Sequence, residues 1–509
     1  MTSLEKYRRY ATNDGASITR QSIPVTSKFI TPISQSHCER IAKIAVRISA
    51  NEPTLSFTSF FDSRVESGIF SGPALLIGDD REIALRRERD AQSYEYRISC
   101  LAANDDMLLL SGNRNSAFER YREHHLGLGA IDAVTLRLNR NDNLVPLATR
   151  CLSDASALNR IVVKAQKAGS LTILPYIGKG SAWMLAAAVA ERSGMPVRVA
   201  APPPKLTSRV NDKVWFAHRV DEVLGPRAQP LYRAVFGPAA LAAQVYRLAR
   251  ESEQIVIKVP DSAGSDGNIS ISASKIQSLP LGLLREHLIM MLSEIGWGNE
   301  YPLLVEIWDA PVLASPSVQI WVPDHRSGPP VLEGVFNQIV TGPKGEFVGS
   351  TPPTFPECWS TRVGGEALSF ATLFQHLGYF GRCSFDAVIA GRNYSNAVLH
   401  WLECNGRWGG VSIPMTLANR LSNNGRSGNF AVVQRDNVSF PPCEFSTALS
   451  RLKPILYRTG KTPEGVVLMS PVGIERGNAL QLMALADRVE QAESLAERAT
   501  RILMGADKR

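Results

Sequence analysis

Long apolar runs are missing from this 509-residue sequence. Its most apolar helix-like stretch, residues 182–190, is far shorter than the roughly 20 residues that a membrane span needs. The opening residues MTSLEKYRRY carry charge where a secretion signal needs an apolar core. The seven cysteines are scattered, with no CxxC pair and no Cys/His spacing typical of a zinc site. We therefore predict reduced thiols, no membrane partner and a cytoplasmic location.

A strong excess of one charge is also missing. Lysine and arginine number 56 against 48 acidic residues, a net charge of +8, which permits an anionic ligand or an acidic partner. The densest arginine cluster, between residues 79 and 90, is mixed with acids and is typical of a solvated face. This pattern does not favour a nucleic-acid partner. With 44% hydrophobic residues over this length, the chain is expected to form about two to four globular domains.

The secondary-structure pattern changes along the chain. Residues 1–150 begin polar and weakly patterned, and we assign them an uncertain role within a substrate-binding half. Regular alternation of helix and strand in 151–210 predicts a parallel α/β layer, which ends at the prolines 202–204. We divide the rest into a smaller lobe, 211–310, and a larger lobe, 311–509, that closes with one amphipathic helix over 479–505. This helix could pack on its own domain or on a second copy of the chain.

Two apolar strands, SFDAVI and VLHWLECN, are joined by the turn-forming loop AGRNYSNA. A hairpin centred on this loop places Asp386 opposite Glu403, with Asn405 on the same face and Cys404 on the other. Facing carboxylates repel each other, and a Mg²⁺ ion would compensate them. The alternative is a solvent-facing strand edge. Arg407 follows two residues later and could bind an anion at this face, or it could be an ordinary surface arginine.

A second polar feature is Lys258, which interrupts the apolar strand QIVIKVP before the loop 262–268. The strand NISISAS follows this loop, and the two strands are predicted to form a β-hairpin. Backbone N–H groups in such a small-residue loop could cover phosphates, although half of such loops are plain hairpin tips. The segment has neither the Walker A pattern nor a Rossmann GxGxxG. Upstream, Lys213 follows the helix-capping residues Asn211 and Asp212.

In this order, the elements of residues 211–410 resemble an ATP-grasp ligase: an NDK helix start, a lysine strand with a small-residue loop, the strand LLVEIW, and an aspartate strand followed by an ExN strand. The resemblance implies α/β and α+β architecture, in which a pre-ATP-grasp α/β layer precedes a two-lobed ATP-grasp fold. It also implies ATP and two Mg²⁺ ions as cofactors.

The resemblance further implies roles for single residues. Lysines 213 and 258 would contact the nucleotide, and Lys258 and Arg407 would take part in catalysis, Arg407 by steadying an acyl phosphate. The metal ligands would be Asp386, Glu403 and Asn405. The nucleotide-binding set would comprise Lys213, Lys258, the loop residues Ser262, Ala263, Gly264, Ser265 and Gly267, the hinge formed by Glu306 with the backbone of Ile307 and Trp308, and Asp309 for the ribose.

One departure concerns an arginine. In D-alanine:D-alanine ligases an arginine stands two residues before the metal aspartate, where this sequence has Ser384; Arg382 and Arg362 are candidate substitutes or plain surface residues. The ending ExNxRxGG resembles the pheganomycin-type peptide ligases and the carrier-protein aminoacyl ligases of natural-product biosynthesis.

We therefore predict a ligase that joins a small-molecule carboxylate to an amine or peptide acceptor. An acidic carrier protein could present one of these substrates. The alternatives are an ATP-grasp kinase or carboxylase, an aminoacyl carrier-protein ligase, and a non-catalytic nucleotide-binding protein.

Overall fold

The computed structural model describes residues 34–85, 91–136, 144–421 and 429–505. The charged opening residues and part of the mixed-charge segment near residue 90 lie outside these ranges. None of the described helices has both the length and the apolar character needed to cross a membrane. The described strands form one parallel sheet and two antiparallel sheets.

The first sheet is parallel, with six strands in the order β1-β6-β5-β2-β3-β4. Its strands are short and almost wholly apolar, as expected for a sheet covered on both faces. They are β1 (Val65–Ser67), β2 (Ala74–Ile77), β3 (Met107–Leu110), β4 (Asp132–Thr135), β5 (Leu171–Pro175) and β6 (Val197–Val199). The helices of this part of the chain are α1 (Gln35–Asn51), α2 (Ala91–Ile98), α3 (Ser116–His124), α4 (Leu147–Ser153), α5 (Ala155–Ala168) and α6 (Gly180–Ser193).

The parallel sheet spans the predicted division at residue 150. The sheet takes strands from both sides of residue 150, which lies inside α4, so the division predicted there does not separate two structural layers. The polar N-terminal region also contains a helix, α1, whose buried residues are Ile41, Ile44, Ala45 and Ile48. Their three- and four-residue spacing is helical, and Ser34 caps the first turn by accepting from the backbone N–H of His37.

The second sheet has four antiparallel strands in the order β7-β10-β8-β9. They are β7 (Tyr232–Val235), β8 (Gln254–Lys258), β9 (Asn268–Ser272) and β10 (Leu303–Ile307). The predicted hairpin of β8 and β9 is confirmed, with Lys258 paired with Asn268. Helices α7 (Pro204–Asn211) and α8 (Lys213–Val223) come before this sheet, and α9 (Pro238–Leu248), α10 (Ala273–Gln277) and α11 (Leu281–Glu294) lie within its span.

The buried residues of α7 and α8 belong to the core of the larger lobe, whereas those of α9 and α11 form the core of the four-stranded lobe. The predicted lobe boundary at residue 211 therefore cuts between two helices that share one core. The sequence of residues 230–252 favours a single helix, but this segment contains strand β7 before α9 starts at Pro238.

The third sheet has nine antiparallel strands, ordered β11-β15-β12-β13-β14-β17-β19-β18, with β16 paired with β15. They are β11 (Val312–Ala314), β12 (Pro316–Val322), β13 (Val331–Thr341), β14 (Glu346–Thr351), β15 (Gly381–Ala390), β16 (Val398–Asn405), β17 (Asn429–Asp436), β18 (Gly465–Leu468) and β19 (Ala479–Ala486). Its helices are α12 (Glu357–His376), α13 (Ser412–Leu421), α14 (Phe445–Leu452), α15 (Val472–Arg476) and α16 (Val489–Met504).

The C-terminal prediction is partly wrong. Residues 479–505 are not one helix, because the first eight form β19 and the helix α16 begins at Val489. Every residue of β19 is buried, since the strand lies between β17 and β18 and both of its faces are covered. A strand buried on both faces shows no alternation, so its sequence cannot be distinguished from a buried helix by periodicity.

Candidate active site

The carboxylate pair predicted from the hairpin is confirmed. Asp386 on β15 lies opposite Glu403 on β16, and Asn405 lies opposite Ser384. Beyond this point the register shifts by one residue, so that Ala387 pairs with Trp401 and Leu402 is left as the bulge. The loop is thus centred on Tyr394 alone, and the bulge returns the two carboxylates to opposite positions.

Asp386 is held from two sides. Ser317 Oγ on β12 donates to Asp386 Oδ1 at 2.6 Å, and Asn405 Nδ2 donates to Oδ2 at 2.8 Å. Burial, followed by the charge of Glu403, raises the pKa of the Asp386 carboxyl to about 7. Desolvation and the neighbouring carboxylate therefore both disfavour the ionised form of Asp386.

Glu403 has a cationic partner. Lys213 Nζ at the start of α8 lies 3.0 Å from Glu403 Oε2. Burial alone would raise the pKa of Glu403, but Lys213 and then Lys258 outweigh it and bring that pKa below its usual value. Lys213 also donates to the backbone oxygen of Ser262 at 2.6 Å. This lysine thus connects the carboxylate face with the loop 262–268.

The donor set fits a hard divalent cation. Carboxylate and amide oxygens are the ligands that Mg²⁺ prefers, and Mg²⁺ usually takes the rest of its shell from water and substrate phosphates. Within the described residues, no three His, Cys, Asp or Glu side chains come together as a metal-binding group. The set of Asp386, Glu403 and Asn405 is therefore two carboxylates and an amide, which suits an ion shared with phosphate oxygens better than a closed structural site.

Arg407 lies beside this face. Its Nη2 donates to Asn405 Oδ1 at 2.5 Å, and its guanidinium carbon lies 5.9 Å from the ring centre of Tyr176. An amide oxygen has two lone pairs, so Asn405 can accept from Arg407 and still bind a cation. Cys404 is buried, and burial raises the pKa of its thiol well above the usual value. The prediction that Cys404 faces away from the carboxylates agrees with its place in the apolar core of the larger lobe.

Lys258 forms a buried ion pair with Glu306 on the neighbouring strand β10. Burial raises the pKa of Glu306, and the adjacent Lys258 opposes that rise. Glu306 was predicted only as part of a hinge that binds adenine. In the structure its carboxylate also holds Lys258 in place. The backbone N–H groups of Ile307 and Trp308 donate to the carbonyl oxygens of Leu231, at 3.1 Å, and Gln254, at 2.9 Å.

A cavity of about 290 Å³, which we call the hinge cavity, opens between the two lobes. Asp309, predicted to bind a ribose, lines it, and its Oδ2 lies 2.9 Å from His400 Nδ1. Other lining residues are Lys213, Lys258, Ser265, Asn268, Glu306, Ile307, Trp308, Gln338, Asp386 and Glu403.

A second cavity, of about 150 Å³, also borders the carboxylate pair, and we call it the arginine cavity. Its lining includes Tyr94, Tyr176, Ala263, Gly264, Ser265, Ser317, Gln319, Gln338, Phe347, Ser384, Asp386, Glu403, Asn405, Arg407, Gln434 and Asp436. Both cavities are bordered by Ser265, Asp386 and Glu403. The carboxylate pair therefore stands where the two cavities meet.

The predicted residues of the loop 262–268 fall into two groups: some line a cavity, and others shape the loop itself. Ala263, Gly264 and Ser265 line the arginine cavity, and Ser265 Oγ donates across the cleft to the Gly345 carbonyl at 2.9 Å. Ser262 and Gly267 instead build the loop: a Cβ placed on Gly267 would lie 2.2 Å from Ser262 Oγ, so only glycine fits there.

Several site residues were missed by sequence reasoning. Ser317 and Gln319 are the polar members of an otherwise apolar strand, and their two-residue spacing was a usable signal of a functional face. Tyr176, which directly follows the buried strand β5, gave no comparable signal. The two candidate substitute arginines are engaged elsewhere: Arg382 pairs with the buried Glu333, and Arg362 forms an ion pair with Glu366 at 2.8 Å on α12.

No family model and no curated protein matches the sequence. Solved structures do match. The biotin carboxylase domain of 2-oxoglutarate carboxylase from Hydrogenobacter thermophilus, in complex with MgADP, ADP and bicarbonate, is 12% identical with a TM-score of 0.52, over 84% of this chain and 89% of that one. Pyruvate carboxylase from Rhizobium etli, with acetyl coenzyme A, is 13% identical with a TM-score of 0.50, over 84% of this chain and 37% of that one.

N5-carboxyaminoimidazole synthetase from Staphylococcus aureus, complexed with ADP, is 10% identical with a TM-score of 0.49, over 85% of this chain and 98% of that one. At these identities the likeness concerns the fold, which the two structures with TM-scores of at least 0.50 support. Together with the parallel sheet and the two antiparallel sheets, it shows that the chain has an α/β layer followed by a two-lobed ATP-grasp fold.

Proposed function

We propose that this protein is an ATP-dependent ligase that joins a carboxylate to an amine through an acyl phosphate, with release of ADP and phosphate. The observation that carries the proposal is the position of Asp386 and Glu403, which border both cavities. A nucleotide in the hinge cavity and a carboxylate in the arginine cavity would therefore meet at this pair. Such a meeting is what phosphoryl transfer between two substrates requires.

In this proposal the nucleotide lies in the hinge cavity. Lys213 and Lys258 offset phosphate charge, and Glu306 orients Lys258. The backbone of Ile307 and Trp308, which line the same cavity, would bind the adenine. Asp309 binds the ribose, and the loop from Ser262 to Gly267 covers the phosphates. Asp386, Glu403 and Asn405 would hold two Mg²⁺ ions, which supply charge neutralisation for the transferred phosphoryl group when bound.

The chemistry then needs no covalent enzyme intermediate. A substrate carboxylate oxygen attacks the γ-phosphorus, the bond to the ADP oxygen breaks, and an acyl phosphate forms. The amine attacks the acyl carbon, phosphate leaves with the bonding electron pair, and the amine loses a proton. Arg407, held by Asn405 at 2.5 Å, neutralises the acyl phosphate.

A carboxylase is the main competing function, because the solved structures of like fold include carboxylases, one of them with bound bicarbonate. The arginine cavity is lined not only by the carboxylate pair and Arg407 but also by Tyr94, Phe347 and Gln434, which favours a larger carboxylate than bicarbonate. A kinase would use the same residues without an amine, and a non-catalytic nucleotide-binding protein would have little use for two facing carboxylates.

We further propose an amino acid or modified amino acid as the carboxylate. The segment Glu403 to Gly410, which reads ExNxRxGG, supports placement near the pheganomycin-type peptide ligases of natural-product biosynthesis. The acceptor would be a small amine, a peptide or a group on an acidic carrier protein. A cytoplasmic location and a homodimer remain parts of the same proposal.

Incubation with Mg-ATP, a pool of amino acids and hydroxylamine separates these functions. A ligase yields hydroxamate and ADP, a kinase yields ADP with a phosphorylated product and no hydroxamate, and a binding protein yields no ADP. Glu403→Gln should lower hydroxamate formation about a hundredfold or more while the circular dichroism spectrum is unchanged. Glu497→Gln, on the exposed face of α16, is the matched control. Full ATP-dependent ligation by Glu403→Gln would contradict the metal assignment.

A further inference from the structure

Arg407 lies on a short segment between two regular elements. Strand β16 ends at Asn405 and helix α13 begins at Ser412, so residues 406–411, which we call the arginine segment, belong to neither. The conformation of this backbone therefore depends on contacts outside the strand ladder.

The guanidinium of Arg407 is tied to the backbone of the arginine segment. Its Nη1 donates to the carbonyl oxygen of Trp408 at 3.2 Å, while its Nη2 donates to Asn405 Oδ1 at 2.5 Å. A shift of the segment would move the Trp408 carbonyl, and with it the guanidinium that this carbonyl holds.

Two residues of the α/β layer hold the arginine segment just after Arg407. The backbone N–H of Trp408 donates to the carbonyl oxygen of Tyr176 at 3.0 Å. Two residues further on, the carbonyl oxygen of Gly410 accepts from Arg97 Nη2 at 2.6 Å. The layer that precedes the two lobes thus contacts the backbone of this segment at two points.

Arg97 also connects the arginine segment to the sheet of the larger lobe. It lies in the last turn of α2 and is buried, with 1% of the residue exposed. While Nη2 donates to Gly410, Nη1 donates to Gln434 Oε1 on β17 at 2.7 Å. Because a guanidinium is planar and presents its donors in a rigid fork, the two acceptors are fixed relative to each other. One buried side chain therefore sets the position of the segment against β17.

The backbone at Gly410 has little freedom to move. A Cβ placed on Gly410 would lie 2.7 Å from Phe347 Cε1, so the segment passes close to this ring and glycine is required there. The ring limits displacement in the Cβ direction, and the hydrogen bond from Arg97 holds the carbonyl.

Arg97 is not among the described residues that line the hinge cavity or the arginine cavity, so it can act on the reaction only through the residues that it holds. We propose that Arg97 is a positioning residue for Arg407. By holding the Gly410 carbonyl against β17, it keeps the guanidinium of Arg407 where it can neutralise the acyl phosphate. This inference rests on the proposed ligase function and adds a residue of the α/β layer to the same site.

The test is a double-variant cycle on the full chain with Mg-ATP, hydroxylamine and the common amino acid that gives the fastest hydroxamate formation in the wild type. Arg97→Met should lower kcat about tenfold, because a small displacement of a catalytic group costs one to two orders of magnitude in rate. The KM for ATP should be unchanged, since the lysines of the hinge cavity are not affected. In an Arg407→Met background, whose own kcat should be about a hundredfold below that of the wild type, Arg97→Met should lower kcat no further.

Arg122→Met is the matched control. Arg122 is also 1% exposed and also donates to backbone carbonyl oxygens, among them that of Ser99 at 3.0 Å, but these acceptors lie within the α/β layer. This variant should lower stability in urea denaturation, as Arg97→Met does, with kcat unchanged. If either methionine variant does not fold, the same cycle is run with Arg97→Lys and Arg122→Lys, which keep the charge and lose the fork, and the same pattern is expected.

The possible failures are distinguishable. An unchanged kcat in Arg97→Met, an equal loss of kcat in Arg122→Met, or the same loss from Arg97→Met in both backgrounds would overturn the positioning role and leave the ligase function standing. Absence of hydroxamate and of ADP with every amino acid would overturn both.

Discussion

Lys179 and Asp261 form an ion pair between the α/β layer and the smaller lobe, with Nζ 2.8 Å from Oδ2. The backbone N–H of Ala84 also donates to the Asp261 carbonyl at 3.1 Å. Asp261 directly precedes the loop 262–268, whose Ser265 contacts the Gly345 carbonyl on the opposite lobe. The proposed phosphate-covering loop is therefore held from both sides, and the α/β layer contributes one of its anchors.

We expect Lys179→Met and Asp261→Asn each to raise the KM for ATP about two- to fivefold, because a partly exposed ion pair is worth about 0.5–1 kcal/mol. The double variant should raise the KM for ATP no further than either single variant does. Lys205→Met, whose partners Glu52 and Thr54 lie away from the loop, serves as the control. Additive effects in the double-variant cycle would show that the pair does not act on the loop as a unit.

Lys258→Met should abolish measurable ATP binding by calorimetry, and it should also lower the free energy of unfolding by about 3–5 kcal/mol, because it leaves the buried Glu306 carboxylate unpaired. The double variant Lys258→Met/Glu306→Gln separates these effects. It should recover much of the stability in urea denaturation without recovering ATP affinity. Recovered ATP affinity in the double variant would show that Lys258 acts only through the fold.

Asn405→Ala removes both the donor to Asp386 and the acceptor that holds Arg407. We expect kcat for hydroxamate formation to fall about a hundredfold, since two charge-stabilising groups lose their orientation. The KM for ATP should change little, because the hinge cavity keeps its lysines. Asn396→Ala, in the hairpin loop that precedes β16 and away from the carboxylate pair, is the matched control. A change confined to the KM for ATP would place Asn405 in nucleotide binding instead.

Glu95 provides a prediction on pH and stability. Burial raises its pKa from about 4.5 to about 7, so the folded protein binds this proton more tightly than the unfolded chain. Its contribution to the free energy of unfolding is therefore greatest below pH 4.5 and declines as the pH rises to about 7, by a few kcal/mol. Glu95→Gln should gain stability relative to the wild type between pH 5 and pH 8 in urea denaturation. A pH-independent difference would contradict the raised pKa.

The cysteines give a prediction on reactivity. Cys404 adjoins two proposed metal ligands but is buried, with a thiol pKa raised well above its usual value, whereas Cys358 is exposed. Maleimide should label Cys358 in the native protein and leave Cys404 unlabelled. Cys404→Ala should retain more than half of the hydroxamate activity. Rapid labelling of Cys404 would indicate that strand β16 opens.

The sequence by itself determined the features that depend on local periodicity. The facing of Asp386 and Glu403 follows from the two-residue period of strands and a short hairpin, and the pairing of β8 with β9 follows from the same rules. The polar residues at these positions could be recognised because their apolar neighbours made them exceptional.

Only the tertiary structure decided which distant groups meet. Lys213 contacts Glu403 and Arg97 contacts Gln434 across long separations in sequence, and no periodic pattern encodes such contacts. The same holds for β19, which is a strand because β17 and β18 cover its two edges, although its continuous apolar sequence suits a helix equally well. Local sequence patterns determine which side chains share one face of a strand or helix. The packing of whole elements determines which other residues that face contacts.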